Sequence, residues 1–321
     1  MINGKKLIDC HIHYALPIDP EALISIMDES GTDMGALVLV PHRQRLSSAP
    51  DALMAKAMYP QRLYLFSGLD TSAYFRQPKT VGKAMAKYCS QMLRAGADGI
   101  KLIEGKPNMR KMLPIPDFDA PCWEPFWAWA EEEQVPILWH VNDPEEFWDE
   151  EKIPGWAKLR GWAYDDSFIN NEVQYSQVLK VLERHPKIKI IFAHFFFMSA
   201  QLPRLRKIMD SFPNIMIDLT PGIEMYINFS GSLEEARQFF LDYQDRIVYG
   251  TDIGARPGAP ATAVGIDRHP VRQVEDLHCR SIDMIGGPVR LGRAMADEMG
   301  DMIGHPPAER RAAPAHRPAP R

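Results

Sequence analysis

The sequence predicts an α/β protein, a (β/α)8 TIM barrel followed by an atypical C-terminal tail. Short apolar runs alternate with helix-like segments, eight such units can be counted, and no glycine-rich phosphate turn follows the first run. Alternation favours parallel strands, because parallel neighbours need crossover connections. Eight units close a barrel, whereas a doubly wound open sheet usually carries the glycine-rich turn.

The individual elements follow from apolar periodicity and from helix-boundary residues. The first helix is the best marked, since Pro20 begins it and Gly31 follows its end. The helix at 121–133 is rich in Trp, and we expect it to pack in the core. Strands are predicted at residues 7–13, 35–40, 63–69, 99–104, 135–140, 188–194, 215–219 and 246–250, and helices at 20–29, 50–58, 80–95, 121–133, 172–184, 202–211 and 233–243.

Two regions interrupt this rhythm within a predicted barrel domain of residues 1–253. An insertion at about 143–171 is rich in acids and aromatics and follows a strand end, so it would overhang the barrel mouth. It is either a lid or substrate wall, or a surface excursion packed on its own Trp residues. The segment 254–304 is rich in Pro, Gly and Arg, with a potential helix at 289–303, and the composition of 305–321 predicts a disordered tail.

Composition excludes several classes of protein. The 321 residues are 45% apolar and 25% charged, which is ordinary for a soluble globular protein. A net charge of -5 argues against nucleic acid as a partner, and no apolar run is long enough for a membrane helix. The four cysteines are far apart, which favours a reducing cytoplasmic location without disulfides. A small-molecule substrate is the expected partner, and exposed Trp in the insertion would suit a homodimer contact.

The first predicted strand carries two histidines on one face. Because strand side chains alternate, Asp9, His11 and His13 should share a face, while Ile8, Cys10 and Ile12 should pack against helices. Two imidazoles at i and i+2 can bind one metal ion. On its own the HxH pattern is also compatible with ordinary polar packing.

Three further residues end predicted strands at spacings that fit a barrel. His140, His194 and Asp252 end the fifth, sixth and eighth strands, and 127 residues separate His13 from His140, or four units of about 32. Side chains at the C-terminal ends of parallel strands converge on one mouth. Imidazoles and a carboxylate there suit Zn²⁺ or another divalent transition metal such as Mn²⁺, which can activate water for attack.

These segments, DCHIH, WH, FAH and YGTD, resemble the amidohydrolase superfamily over about residues 6–253, in particular the amidohydrolase-related branch that includes aminocarboxymuconate-semialdehyde decarboxylase. The resemblance implies metal ligation by His11, His13, His140 and Asp252. It also implies that Asp252 shuttles protons and that His194 binds a second metal or orients water or substrate. One ion is expected rather than two.

Other residues near the strand ends have less defined roles. The resemblance leaves open whether Lys101 bridges two metals as a carbamate or pairs with Glu104 or a substrate carboxylate. Asp218 could orient a ligand or cap a turn. Candidate substrate-binding residues are Tyr14 and Asn142, which adjoin the ligands, and His42 and Arg43, which could instead be a solvent-facing loop pair.

The sequence therefore predicts a metal-dependent hydrolase that uses activated water on an amide, ester or lactone bond of a small molecule. A metal-dependent, non-oxidative decarboxylase of an unsaturated or aromatic carboxylic acid is the alternative within enzymes. A non-catalytic protein built on a degenerate barrel is the alternative from another class.

Overall fold

The computed structural model describes residues 6–14, 19–40, 47–220 and 223–255. The segments predicted at 289–303 and 305–321 lie outside the described residues, as do His42 and Arg43. The strands are β1 Ile8–Tyr14, β2 Met34–Val38, β3 Leu63–Ser67, β4 Gly99–Gly105, β5 Ile137–Val141, β6 Ile190–Phe192, β7 Ile215–Asp218, β8 Ile247–Val248 and β9 Ile253–Ala255. The helices are α1 Pro20–Ser30, α2 Ala49–Met58, α3 Ala73–Arg76, α4 Val81–Ala95, α5 Pro107–Met112, α6 Glu124–Glu132, α7 Gly155–Leu159, α8 Asn171–Arg184, α9 Leu202–Ser211, α10 Ile223–Gly231 and α11 Leu233–Asp242.

The strands form one parallel sheet in the order β8-β7-β6-β5-β4-β3-β2-β1-β9. β8 lies within the eighth strand predicted at 246–250, whereas β9, which was not predicted, begins after four further residues of the same segment. The Cys10 amide donates to the Tyr249 carbonyl, and the Asp252 amide donates to the His11 carbonyl, each at 2.9 Å. The segment after β8 thus runs beside β1, and the predicted TIM-barrel fold class is confirmed.

Apolar residues alternate between the two faces of the strands. Inner-face residues form one cluster: Cys10, Ala36, Val38, Phe66, Leu138, Ile191, Ala193 and Val248. Outer-face residues such as Leu37, Leu65 and Ile137 pack against the helices in two larger clusters. Trp123 and Trp127 are buried in the larger one, as predicted for their helix. In the part of the chain that the structure describes, no helix is long and apolar enough to cross a membrane.

The helix boundaries follow their local sequence. Asp19 accepts a hydrogen bond from the Glu21 amide at the start of α1, Pro20 occupies the first turn, and Gly31 ends the helix with a φ of 74°. Four of the helices in the described structure were not predicted: α3 after β3, α5 directly after β4, α7 within the insertion, and α10 after β7. Each of these follows the C-terminal end of a strand and therefore adds to the barrel mouth.

The insertion has a small core of its own. Phe147, Ile153, Ala157 and Tyr164 are buried together, and Trp148, Trp162 and Phe168 pack against them. This self-packing fits the expectation of an aromatic excursion. Its contacts with the barrel mouth, described below, also fit the expectation of a substrate wall.

Candidate metal centre

His11 and His13 lie on β1 where its pairing with β2 shifts by one residue between Asp9 and Ile12. This bulge breaks the simple alternation of faces. Cys10 therefore packs in the inner cluster, whereas Ile12 packs in the outer cluster against α1 and α2. The prediction that Cys10 shares the helix-facing side with Ile12 is wrong, because the sequence gives no sign of the extra residue.

His11 is completely buried and is oriented by Asp218. Its Nδ1 lies 2.8 Å from Asp218 Oδ2 and 3.0 Å from Thr220 Oγ1. Because the carboxylate can only accept, Nδ1 carries the proton and Nε2 keeps its lone pair. Burial, and to a lesser extent the Lys101 ammonium, lower the pKa of His11 to about 3, so the ring is neutral. The prediction that Asp218 could orient a ligand agrees with this geometry.

Asp252 faces both β1 histidines. Its Oδ1 lies 2.7 Å from His13 Nε2 and 3.6 Å from His11 Nε2. Burial would raise the pKa of Asp252, but the imidazoles of His13, His194 and His11 lower it well below its ordinary value. The residue lies between β8 and β9 and has a φ of 56°, in the left-handed region.

The segment before Asp252 is held against β1. Asp9 accepts hydrogen bonds from the Thr251 amide at 3.2 Å and from the Thr251 hydroxyl at 2.5 Å. A side chain at Gly250 would come within 2.8 Å of the His11 Cβ, so this close approach requires glycine. Burial raises the pKa of Asp9 to about 6.

The donor set of His11, His13 and Asp252 fits a divalent ion. One ligand atom from each residue lies within 4.8 Å of the other two. Asp252 Oδ1 is buried without accepting a hydrogen bond of normal geometry, as expected of an oxygen arranged for a cation. Two imidazole nitrogens and one carboxylate oxygen are ligands that suit Zn²⁺ and neighbouring transition metals.

Lys101 lies inside this site, and Glu104 does not. Lys101 Nζ is 3.0 Å from His11 Nε2, and burial lowers the pKa of Lys101 to about 8. Glu104 is buried on the other side of β4, next to Tyr74 of α3 and Cys89 of α4. The predicted pairing of Lys101 with Glu104 is therefore not found in the described structure, because β4 separates the two side chains.

His194 is placed by an unusual backbone. Residues 194–197 follow β6 with four successive φ values between 51° and 57°, a left-handed turn formed without glycine. Each such residue costs about 1–2 kcal/mol relative to right-handed backbone. Two contacts offset this strain: the His194 amide donates to Asp218 Oδ1 at 2.6 Å, and Phe196 stacks on Phe192 at 3.9 Å.

His140 and His194 lie next to the candidate ligands His11, His13 and Asp252, here called the ligand trio, but are not part of that group. The His194 ring lies 5.6 Å from that of His11 and 4.8 Å from that of His140. The Phe197 ring stacks on His194 at 5.0 Å and lies 5.3 Å from His140. Among the described residues, the structure thus groups only His11, His13 and Asp252 as ligands, and it surrounds them with a wall of rings.

Asp143 is a functional candidate that sequence reasoning missed. Its carboxylate accepts from Lys106 Nζ at 2.5 and 2.8 Å and from the Tyr164 hydroxyl at 2.6 Å, and it lies 3.3 Å from His140 Nε2. Burial opposes ionisation, but Lys106 and His140 lower the pKa of Asp143 to about 2. Trp162 covers the Lys106 ammonium at 4.2 Å. The only signal in the sequence was that Lys106 and Asp143 each follow a strand end.

The two remaining pocket candidates have different surroundings. Tyr14 packs in the outer cluster with residues of α1 and α2, so its predicted place in the pocket is wrong: it follows His13 and points to the opposite face. Asn142, with a φ of 72°, is buried beneath the mouth, where it accepts from Gln174 Nε2 at 2.7 Å and anchors the start of the insertion.

The chain resembles a known family in sequence and known structures in fold. Residues 8–268 match the family model described as amidohydrolase, and the chain therefore belongs to that family. The protein is accordingly a metal-dependent enzyme, a hydrolase or a decarboxylase. No curated protein sequence matches it.

Solved structures share its fold. One is dihydroxybenzoic acid decarboxylase from a Polaromonas species, with bound manganese and 2-nitroresorcinol (TM-score 0.53, 13% identity, covering 94% of this chain and 97% of that chain). Another is 5-carboxyvanillate decarboxylase from Novosphingobium aromaticivorans, with manganese and a nitrobenzoic acid (0.52, 13%, 90% and 94%). A third is 2,6-dihydroxybenzoate decarboxylase from Rhizobium (0.51, 15%, 94% and 99%). At these identities the likeness extends to the fold alone.

Proposed function

We propose that the protein catalyses metal-dependent, non-oxidative decarboxylation of an aromatic or other conjugated carboxylic acid. The observation that carries this proposal is the juxtaposition of the ligand trio with the wall formed by His140, His194 and Phe197. A flat conjugated ring can stack on this wall, and its polar substituents then lie next to the trio.

The charges of the site suit an acidic substrate. Lys101 is buried with a pKa of about 8, so it is predominantly positive at neutral pH, and it lies against His11. A buried ammonium attracts a carboxylate or phenolate more strongly than an exposed one does, because little water screens it. Lys101 is thus the residue that we expect to bind the anionic end of the substrate.

The solved structures give independent support for this choice over hydrolysis. The three neighbours above are decarboxylases of dihydroxybenzoates or 5-carboxyvanillate, and two of these structures hold manganese. We extend to this chain the aromatic acid substrate of all three neighbours and the divalent ion of the two manganese-bound structures. Mn²⁺ and Zn²⁺ both fit the donor set, and the bound ion would supply Lewis-acid polarisation of a substrate oxygen.

The chain's own residues account for the proton. Asp252 is ionised and can take a proton from the arriving hydroxy acid, then return it to the ring carbon that bears the carboxylate. Protonation at that carbon interrupts the conjugation of the ring. The bond to the carboxylate then breaks, its electron pair returns to the ring, and carbon dioxide leaves.

Hydrolysis is the second candidate. The observation that favours it is the ionised Asp252, whose Oδ1 accepts no normal hydrogen bond and could accept a proton from water. A hydrolase would incorporate solvent oxygen into a product, whereas a decarboxylase releases carbon dioxide without consuming water.

The test uses 2,6-dihydroxybenzoate and 5-carboxyvanillate as probes, with the protein loaded with Mn²⁺ or Zn²⁺ and with Asp252→Asn as the inactive control. Carbon dioxide release, and exchange of labelled bicarbonate into the acid, would support decarboxylation. Incorporation of ¹⁸O from water into lactone or ester probes, with no carbon dioxide from any acid, would support hydrolysis instead. No metal binding at all would favour the non-catalytic alternative.

A further inference from the structure

The loop after β5 joins three parts of the barrel mouth through one carboxylate. Asp143 contacts Lys106 at the end of β4, His140 at the end of β5 and Tyr164 in the insertion. It is 2% exposed, and its backbone carbonyl accepts from the Asn171 side chain at 2.9 Å. A side chain tied this closely is expected to keep one conformation.

This geometry determines which nitrogen of His140 carries the proton. A carboxylate can only accept, so the 3.3 Å contact with Asp143 Oδ1 requires the proton on Nε2. Nδ1 then keeps its lone pair. The ring packs against His194 and Phe197 next to the ligand trio, so the lone pair on Nδ1 is available as a further ligand to an ion bound there.

We propose that Asp143 is a positioning residue that fixes the tautomer and orientation of His140, and that Tyr164 makes this arrangement depend on the packed aromatic insertion. The inference rests on the metal centre assumed in the proposed function. It requires neither a particular substrate nor a particular reaction.

The insertion has two ties to this network. The Tyr164 hydroxyl donates to Asp143 Oδ2 at 2.6 Å, and Trp162 covers the ammonium that neutralises the same carboxylate. Both aromatic residues pack on Phe147, so opening the insertion would withdraw a hydrogen-bond donor and a cation–π partner together. Asp143 would then be free to rotate away from His140.

The first experiment compares Asp143→Asn with Asp210→Asn. Asp210 is a matched control because it also accepts from a tyrosine, Tyr243, at 2.6 Å, but on α9. In the metal-free protein, ¹⁵N NMR of the imidazoles, assigned with His140→Gln, should find Nε2 protonated on His140. The amide of Asp143→Asn can donate to Nε2 and shift the proton to Nδ1, and Mn²⁺ or Zn²⁺ alone should then bind about 10–100-fold more weakly.

The second experiment keeps the carboxylate and removes its tie to the insertion. Tyr164→Phe should speed limited proteolysis within 145–168 and weaken Mn²⁺ binding, whereas Tyr243→Phe should do neither. The positioning role is overturned if wild-type His140 has its proton on Nδ1, or if Asp143→Asn keeps both tautomer and metal affinity. The coupling is overturned if Tyr164→Phe loosens the insertion and leaves the His140 signals and metal affinity unchanged.

Failure of the proposed function would look different. A protein that releases no carbon dioxide from any acid, but loses metal affinity in Asp143→Asn, would overturn decarboxylation and support the positioning role. Because the NMR measurement is made without metal or substrate, it tests His140 whichever reaction the enzyme catalyses.

Discussion

Asp218 at the barrel mouth and Glu104 behind β4 are both buried carboxyl groups, at 0% and 1% exposure. Asp218 accepts from the His11 ring, the His194 amide and the Thr220 amide, and these partners outweigh burial and lower its pKa to about 2. For Glu104, the Tyr74 hydroxyl and nearby backbone amides offset burial only in part, and burial raises its pKa to about 7. These two carboxyl groups are almost equally buried, so they differ in charge because their partners differ.

The largest effect is expected when a candidate metal ligand at the barrel mouth is removed. His11→Ala should abolish turnover, because it removes a ligand. The loss of metal affinity should exceed the loss of about 10–100-fold that is typical when a residue that only orients a ligand is changed. Elemental analysis and competition with a chelator would measure the loss, and circular dichroism would check the fold. Wild-type turnover in this variant after chelator treatment would contradict the metal centre.

Glu104→Gln should remove the pH dependence that this buried carboxyl group gives to the stability of the protein. Because the folded-state pKa is raised above the ordinary 4.5, the unfolded state ionises first, and wild-type stability should fall as pH rises from about 4.5 to 7. The amide removes this loss, so the variant should be more stable above pH 7 by up to about 3 kcal/mol. Urea unfolding across this pH range measures it, and parallel curves for both proteins would refute the assignment.

Metal loading should raise the free energy of unfolding by an amount that does not depend on Glu104. Mn²⁺ or Zn²⁺ at 100 times its dissociation constant should raise the free energy of unfolding by about 2.7 kcal/mol. The same increase is expected in Glu104→Gln, and none is expected in His11→Ala. Thermal unfolding with and without metal would measure it, and a similar shift in His11→Ala would place the ion elsewhere.

Asp218→Asn should have a smaller effect than loss of a ligand. The Asn amide can still contact His11 Nδ1, but it can donate as well as accept a hydrogen bond, so the proton is no longer held on Nδ1. Metal affinity should therefore fall about 10–100-fold. The pH profile should change as well. A carboxyl with a lowered pKa stabilises the fold above pH 3.8 and loses that contribution as pH falls toward 2, so the variant should lack this acid-side loss. An unchanged metal affinity would contradict the orienting role.

The sequence was sufficient to predict features that follow from parallel strand direction. His11, His13 and Asp252 come together because β1 and the segment after β8 are neighbours whose C-terminal ends share one mouth. The positions of His140 and His194 next to them follow from the same rule. Glycine, proline and apolar periodicity also located most helices to within a few residues.

Other features depended on contacts that no local pattern encodes. The bulge that turns Cys10 inward adds one residue between strands without a Gly or Pro to mark it. The left-handed turn at 194–197 lacks the glycine that usually signals such backbone. Lys106 and Asp143 are 37 residues apart and meet only because two loops after neighbouring strands cross at the mouth.

Asp252 lies where the segment after β8 pairs with β1 and closes the barrel. Asp252 carries both a candidate ligand oxygen and the amide that bonds to β1, so closing the barrel here also brings this oxygen to the β1 histidines. A nascent chain that has released only its first 248 residues from the ribosome holds both β1 histidines but cannot yet complete their partner set. We therefore expect a chain that lacks Asp252 to bind a metal ion more weakly, through the two histidines alone.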